Sequence, residues 1–401
     1  MKSKETTGSI CVVPSIKVAG VHCGLKEKGK DLGLIFSETP TISAAVFTQN
    51  AIKAAPVIYD MRLMKKIPDI RAVIVNSGNA NACNSNGFDA IDDVVNALSK
   101  KLEIEKDQIF VASTGIIGED LPSEKITTAI DELVYRLGSN RCDDFSEAIL
   151  TTDTFTKQMA LNCSFYGEEF NIGGVAKGAG MIHPNMATML AFITTDINIS
   201  HDMLDRALRE AVDKSFNRIS VDGDTSTNDT VFIMSTCQAK NEKITTENEI
   251  YRFFADQLIH ICTHLAKMIV KDGEGATKTA EVVVVGAFSK KDAQLVARSV
   301  ANSLLVKTAI FGEDPNWGRI VDAIGYSNAY FSVDRLKVFI GDELVYAYSK
   351  KVDFDKEKLK NYMKNDEIRI LIDLGLGVYT YNMWFSDLSY DYVKINAEYH
   401  T

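Results

Sequence analysis

Between residues 173 and 196 the chain reads GGVAKGAGMIHPNMATMLAFITTD, and no other stretch constrains the fold as tightly. Its first part is a run of small residues around Lys177, a composition that lets backbone approach a ligand or another strand with no Cβ in the way. Its last part, Met189 to Thr194, is short and almost wholly apolar, which suits a strand buried on both faces better than a helix. Between the two stand Pro184, Asn185 and a single hydroxyl residue, Thr188, at the threshold of that strand. A hydroxyl at the mouth of a buried strand, behind a glycine-rich approach, is a candidate nucleophile.

Threonine is a weak nucleophile unless a base takes its proton, and no GxSxG elbow surrounds Thr188. Cleavage of the chain before Thr188 solves this: the new α-amino group, with a pKa of about 7.7 to 8.0, accepts the hydroxyl proton. Ala187 then supplies a small acyl side to the scissile bond, and the Pro184 turn can hold a strained peptide. Acyl chemistry also needs donors for an oxyanion, and Ser113-Thr114-Gly115, at the end of an apolar run, offers a hydroxyl and an unobstructed backbone N–H. The bland alternatives are a threonine that merely opens a core strand and an ordinary Thr-Gly turn.

Along the chain, short runs rich in Val, Ile and Phe predict strands at Leu32 to Phe36, Ile42 to Phe47, Val57 to Tyr59, Val73 to Val75 and Phe110 to Ala112, with a polar loop from Asn76 to Asn81. Helical spacing predicts amphipathic helices over Phe88 to Leu102 and Ser123 to Leu137. Ser200 is a candidate N-cap for another, and a long helix runs from about Glu247 to Lys271. Two strands, Ile219 to Val221 and Val231 to Met234, flank the loop Asp222 to Asp229. After Glu281 the order is strand (Val282 to Val285), helix (Lys291 to Leu305), strand (Thr308 to Phe311), then strands at Val338 to Ile340 and Ile368 to Ile372. That alternation places a domain boundary near residues 275 to 280.

The chain of 401 residues exceeds the usual limit for one hydrophobic core, and 46% hydrophobic with 24% charged residues is ordinary globular usage. A net charge of −10 argues against a nucleic-acid or anionic-membrane surface. No apolar run approaches the roughly 20 residues that span a bilayer, and the N-terminus lacks an apolar leader, so a cytoplasmic protein is expected. Seven scattered cysteines without a CxxC pair suggest reduced thiols, not a disulfide framework or a zinc site. The glycine run lacks the Walker order. His260 and His264 lack the metalloprotease glutamate between them. The Asp222 to Asp229 loop lacks the EF-hand spacing and reads better as a self-bonded turn, and His183 better as a turn residue than a base. No metal is expected.

Seven blocks in order carry a further signal: ASTGIIGE (Ala112 to Glu119), LTTDT (Leu150 to Thr154), KGAGMIHPNMATMLAF (Lys177 to Phe192), VDGDTSTND (Val221 to Asp229), KDGEGATK (Lys271 to Lys278), NWGRI (Asn316 to Ile320) and DYVKINAEYHT (Asp391 to Thr401). Together they resemble the ornithine acetyltransferase (glutamate N-acetyltransferase) family of arginine biosynthesis over nearly the whole chain. The resemblance implies self-cleavage between Ala187 and Thr188 into an α chain, 1–187, and a β chain, 188–401, usually assembled as an α2β2 heterotetramer. It implies that Thr188 carries the acetyl group from N2-acetylornithine to glutamate by a ping-pong route, without a cofactor. Some members also take acetyl-CoA as donor, and no residue here decides that.

In the family pattern Thr114 and Gly115 match the oxyanion positions, and Thr151, Lys177, Thr188, Glu274, Asn396 and Thr401 match the substrate contacts. The implied fold is a layered α/β one with mixed sheets, similar to self-processing N-terminal-nucleophile acyltransferases and peptidases. A catalytic domain would span 1–277, and a smaller C-terminal α/β domain, 278–401, would return its tail to the active site. Acetylornithine presents a carboxylate and a distant ammonium, which Lys177 and Glu274 could meet with opposite charges. The alternative on the same scaffold is an aminopeptidase or amidohydrolase, with water as acceptor; TTDT, DGEGATK and the INAEYHT tail speak against it.

Overall fold

The strand Leu190–Thr195 is buried along its whole length and organises the first part of the molecule. It lies inside a six-stranded sheet with the order Lys2–Thr6, Lys157–Phe165, Glu168–Lys177, Leu190–Thr195, Thr230–Ser235 and Ile42–Phe47. The computed structural model describes residues 1–67, 69–183 and 189–398. Pairing in this sheet is antiparallel except between Leu190–Thr195 and Thr230–Ser235, which run parallel.

Side chains of the central strand alternate between two cores, because successive Cβ atoms point to opposite faces. Ala191 and Ile193 face the helices His201–Lys214 and Glu249–Lys271. Leu190 and Phe192 face a second sheet, of order Ile16–Val21, Leu32–Ser37, Ala72–Asn79 and Ile109–Ile116. Phe110 and Phe232 close that sandwich with ring centroids 4.5 Å apart. The outer face of the four-stranded sheet is covered by the helices Gly87–Leu102 and Ser123–Tyr135. The result is four layers, helix, sheet, sheet and helix, the layered α/β architecture expected.

A third sheet, of seven strands, takes its members from Thr279 onward except for Ile219–Ser220, which pairs in parallel with Tyr379–Ser386. Its core packs Val282 and Val284 against Val296 and Val300 of the helix Lys290–Asn302.

The glycine run is a packing device. A Cβ on Gly173 would lie 2.0 Å from the Ser9 carbonyl oxygen, and one on Gly174 would lie 2.8 Å from Ile261 and 2.9 Å from Leu265. Small residues here let the long helix and the N-terminal segment close onto the sheet.

Several expectations are corrected. Val57 to Tyr59 lies in the helix Ala55–Met64, begun by Pro56, whose fixed φ suits a first helical turn. Thr308 to Phe311 belongs to the helix Leu304–Phe311, capped by Ser303, whose hydroxyl accepts from the Val306 amide at 3.4 Å. The polar loop expected from Asn76 begins later, because Ala72–Asn79 continues as a strand, and Ser113-Thr114-Gly115 is strand instead of turn. Ser200 precedes its helix without a side-chain capping bond. Cys11 and Cys142, 131 residues apart, form a disulfide, against the expectation of reduced thiols throughout.

Candidate active site

Lys177 ends the strand Glu168–Lys177 opposite Leu190, so residues 178–189 form a long excursion between two antiparallel neighbours. Ala187 and Thr188 lie outside the described residues, as does Thr401. What the structure describes is the surface around both flanks of that excursion.

On one side the Lys177 ammonium is buried and donates to Thr151 Oγ1 at 2.8 Å and Thr114 Oγ1 at 3.3 Å. Its charge is held by Asp153, 3.7 Å away. Burial draws the lysine below its ordinary value, and Asp153, Asp229 and Glu274 oppose that shift. Asp153 also accepts from the Gly178 amide at 2.6 Å, fixing the point where the excursion leaves the sheet.

Thr114 and Gly115 pair in parallel with Ser77 and Gly78. Gly115 has φ +135°, and a Cβ there would lie 2.4 Å from the Gly78 carbonyl carbon and 2.5 Å from the Asn79 nitrogen. Gly115→Ala is therefore expected to cost about 3 kcal/mol or more, since strained φ and a backbone clash add. A urea midpoint equal to that of the parent would contradict this. The polar strand ends are satisfied from elsewhere: Ser113 Oγ donates to Asn76 Oδ1 at 2.6 Å, and Asn228 Nδ2 donates to the carbonyls of Ala80 (2.6 Å) and Ser113 (2.8 Å). Buried polar groups need such partners.

On the other side, the Glu274 amide donates to the Ala179 carbonyl at 2.9 Å, and the Glu274 carboxylate occupies the space that a Cβ on Gly180 would fill. Asn396 Nδ2, from the helix Tyr390–Glu398, donates to Glu274 Oε2 at 2.8 Å. That helix closes on Gly275, where a Cβ would lie 2.4 Å from the Tyr392 nitrogen. The structure thus joins Thr114, Thr151 and Lys177 in one cluster and Glu274 with Asn396 in another, both beside residues 177–180.

Residues not singled out from the sequence hold these groups in place. Lys157, fully buried, bridges Asp153 Oδ1 at 2.7 Å and Asp272 Oδ2 at 2.5 Å. Asp272 caps the C-terminus of the long helix, where the dipole disfavours an acid, and Lys157 compensates. Asp153 and Asp272 stand inside quoted motifs, but which lysine meets them was not visible there. The Asp222 to Asp229 loop is a turn, as favoured: Asp222 accepts from Asp224, and also from the Met181 and Ile182 amides at 2.6 and 2.9 Å. His260 and His264 lie on the exposed face of the long helix.

The family model described as "ArgJ family" matches residues 17–401. The "Arginine biosynthesis bifunctional protein ArgJ" of Streptococcus thermophilus is 47% identical over 401 residues, covering 99% of this chain and 100% of that protein. The protein of the same description from Bacillus subtilis is 44% identical over 398 residues, covering 99% and 98%. Among solved structures, the ArgJ of Bacillus halodurans matches with a TM-score of 0.50 and 44% identity, over 51% of this chain and 97% of that chain. With a family match running from residue 17 to the last residue and relatives near half identical end to end, the chain belongs to the ArgJ family.

Proposed function

We propose that this protein is a glutamate N-acetyltransferase that moves an acetyl group from N2-acetylornithine to glutamate through an acetyl ester on Thr188, in arginine biosynthesis. The observation that carries the reading is the convergence of a buried cation, Lys177, with Thr114 and Thr151 where residues 178–189 leave the sheet, with the acid Glu274 held against Ala179 and Gly180 just beyond. A cation and an anion at separated points suit a substrate with a carboxylate and a distant ammonium. Thr114 Oγ1 and the Gly115 amide would receive the oxyanion of each tetrahedral intermediate, and the freed α-amino group of Thr188 would carry its proton.

The chain would first cleave itself between Ala187 and Thr188, with α chain 1–187 and β chain 188–401 assembled as α2β2 in the cytoplasm, and with a catalytic part to about residue 277 followed by a C-terminal domain. In support, the matching Bacillus halodurans chain is covered almost entirely while spanning only about half of this one. The relatives are named bifunctional, which favours acetyl-CoA as a second donor. No helix among the described residues is long and apolar enough to cross a membrane.

Following a labelled acetyl group decides the assignment. Label carried from acetylornithine into acetylglutamate, with a rate that depends on glutamate, is the expected result; release as free acetate regardless of glutamate would point to a hydrolase and overturn the reading.

A further inference from the structure

The α-amino group that serves Thr188 during turnover does not exist before the chain is cut, so the cleavage itself needs another proton acceptor. This question rests on the self-cleavage proposed above. Of the titratable groups beside the excursion, Asp153, Asp222 and Glu274 are committed to residues 178–182; Lys177, His183 and Asp229 stand apart from them. Lys177 is a donor to two hydroxyls and is held by Asp153. His183 feels the charges of Arg298 and Asp224 and a hydrogen bond with Asn302, although its Nδ1 has no hydrogen-bond partner among the described residues. Asp229 differs from both in holding the backbone of the residue that follows Thr188. It is fully buried, its Oδ1 accepts from the Met189 amide at 2.9 Å, and its Oδ2 has no hydrogen-bond partner among the described residues. Met189 follows Thr188 directly in the chain.

The loop that ends in Asp229 grips both flanks of the excursion. Asp222 accepts from Met181 and Ile182 upstream, where Met181 has φ +56°, and the Val221 amide donates to the Ile182 carbonyl. Asp229 holds Met189 downstream, and the Thr230 amide donates to the Met189 carbonyl at 3.2 Å. One loop therefore contacts the chain on both sides of residues 183–188. An unpaired buried carboxylate oxygen is costly unless it has a use.

We infer that Asp229 is the proton acceptor for self-cleavage, with Asp222 positioning the segment upstream. As Thr188 Oγ bonds to the Ala187 carbonyl carbon, the hydroxyl proton passes to Asp229 Oδ2. The proton then goes to the Thr188 nitrogen as the C–N bond breaks, leaving an ester and an ionised Asp229. Water hydrolyses the ester to the Ala187 carboxyl group and the free Thr188 hydroxyl. Burial pushes the Asp229 carboxyl well above the ordinary carboxylate range, opposed by the Met189 amide, by Lys177, by the Thr48 hydroxyl and by the Ser226 backbone, and a raised carboxylate is a stronger base than an ordinary one. Lys177 is the charged group that faces it, with Asp153, Lys157 and Glu274 acting on Lys177 in turn.

The test follows cleavage of the full chain by intact mass after pulsed synthesis, for the parent, Asp229→Asn, Asp229→Glu and His183→Gln. Asp229→Asn keeps an oxygen for the Met189 amide but cannot take a proton. It is expected to cleave at least about 100-fold more slowly, the lower end of what a general base contributes, while melting as the parent does. Asp229→Glu should recover part of the rate, and His183→Gln should cleave like the parent. Asp229→Asn cleaving at the parental rate, or His183→Gln stalling in its place, overturns the assignment. If Asp229→Asn does not fold, the parent decides: its cleavage should slow as pH falls through a range above that of ordinary carboxylates, because only the ionised form accepts the proton, and a rate independent of pH overturns it. A parent chain that never cleaves would instead refute the self-cleavage reading, a different outcome from any of these.

Discussion

Thr188→Ala is expected to leave the 401-residue chain in one piece and to abolish acetyl transfer. The same Oγ is asked to attack the Ala187 carbonyl once and a substrate carbonyl at every turnover, so its loss removes both reactions together. Removing a covalent nucleophile lowers kcat by on the order of 10⁶ in a well-studied hydrolase, leaving only the rate supplied by binding and oxyanion donors. Thr188→Ser keeps a hydroxyl and an α-amino group and should still cleave. Denaturing electrophoresis and intact mass report the cleavage, and labelled acetylornithine the transfer. A Thr188→Ala protein that is cut at residue 187, or that transfers acetyl at the parental rate, would falsify the nucleophile assignment.

Lys157→Met is expected to cost about 3 to 5 kcal/mol, because it leaves two carboxylates buried without their cation. Lys157 is 0% exposed, as is Asp153, and Asp272 is 2% exposed, so water cannot replace the lost partner. The same change should lower transfer activity, since Asp153 also fixes Gly178 and supports the charge of Lys177. Acid titration gives a second readout. Burial alone would raise the Asp153 carboxyl, but Lys177 and Lys157 hold it at about 2. A depressed carboxylate stabilises the fold above its unfolded pKa, so this contribution, about 2 kcal/mol, is present above roughly pH 4 and is lost as pH falls toward 2. In Lys157→Met the loss should begin at higher pH. Parental urea midpoints and acid profiles in the variant would remove the network from any account of stability.

How far the sequence could be read depended on whether the information was periodic or paired. The helix Gly87–Leu102 was legible because its apolar face repeats every 3.6 residues, and the strand Ile42–Phe47 because it is a short run rich in Ile, Val and Phe between turn signals. The buried strand after Thr188 was legible because an apolar run six residues long has few other uses. Val57 to Tyr59 and Thr308 to Phe311 mislead because runs of three or four residues carry no period, whereas Pro56 and Ser303 mark the starts of those helices. Asn76, Ser77, Ser113 and Thr114 read as loop because polar residues are costly in a buried strand.

Those polar strand ends persist in the fold because Asn228, Asn76 and Ala148 supply partners from elsewhere in the chain or across the sheet. The candidate residues Thr114, Thr151, Lys177, Glu274 and Asn396 could be named from ordered blocks, since a motif keeps residue types at fixed local spacing. Their two clusters, the Lys157 bridge between Asp153 and Asp272, and the grip of Asp222 and Asp229 on the two flanks of the excursion could not. Apart from Lys157 with Asp153, four positions away, these contacts join residues from 26 to 122 positions apart, and hydrogen bonds of a few ångströms are decided by how the layers pack. By itself the sequence pointed to a layered α/β fold and named the candidate reactive groups; the order of the strands and which charge meets which were decided only by the tertiary structure, because a buried charge takes whichever partner the packed backbone brings within reach.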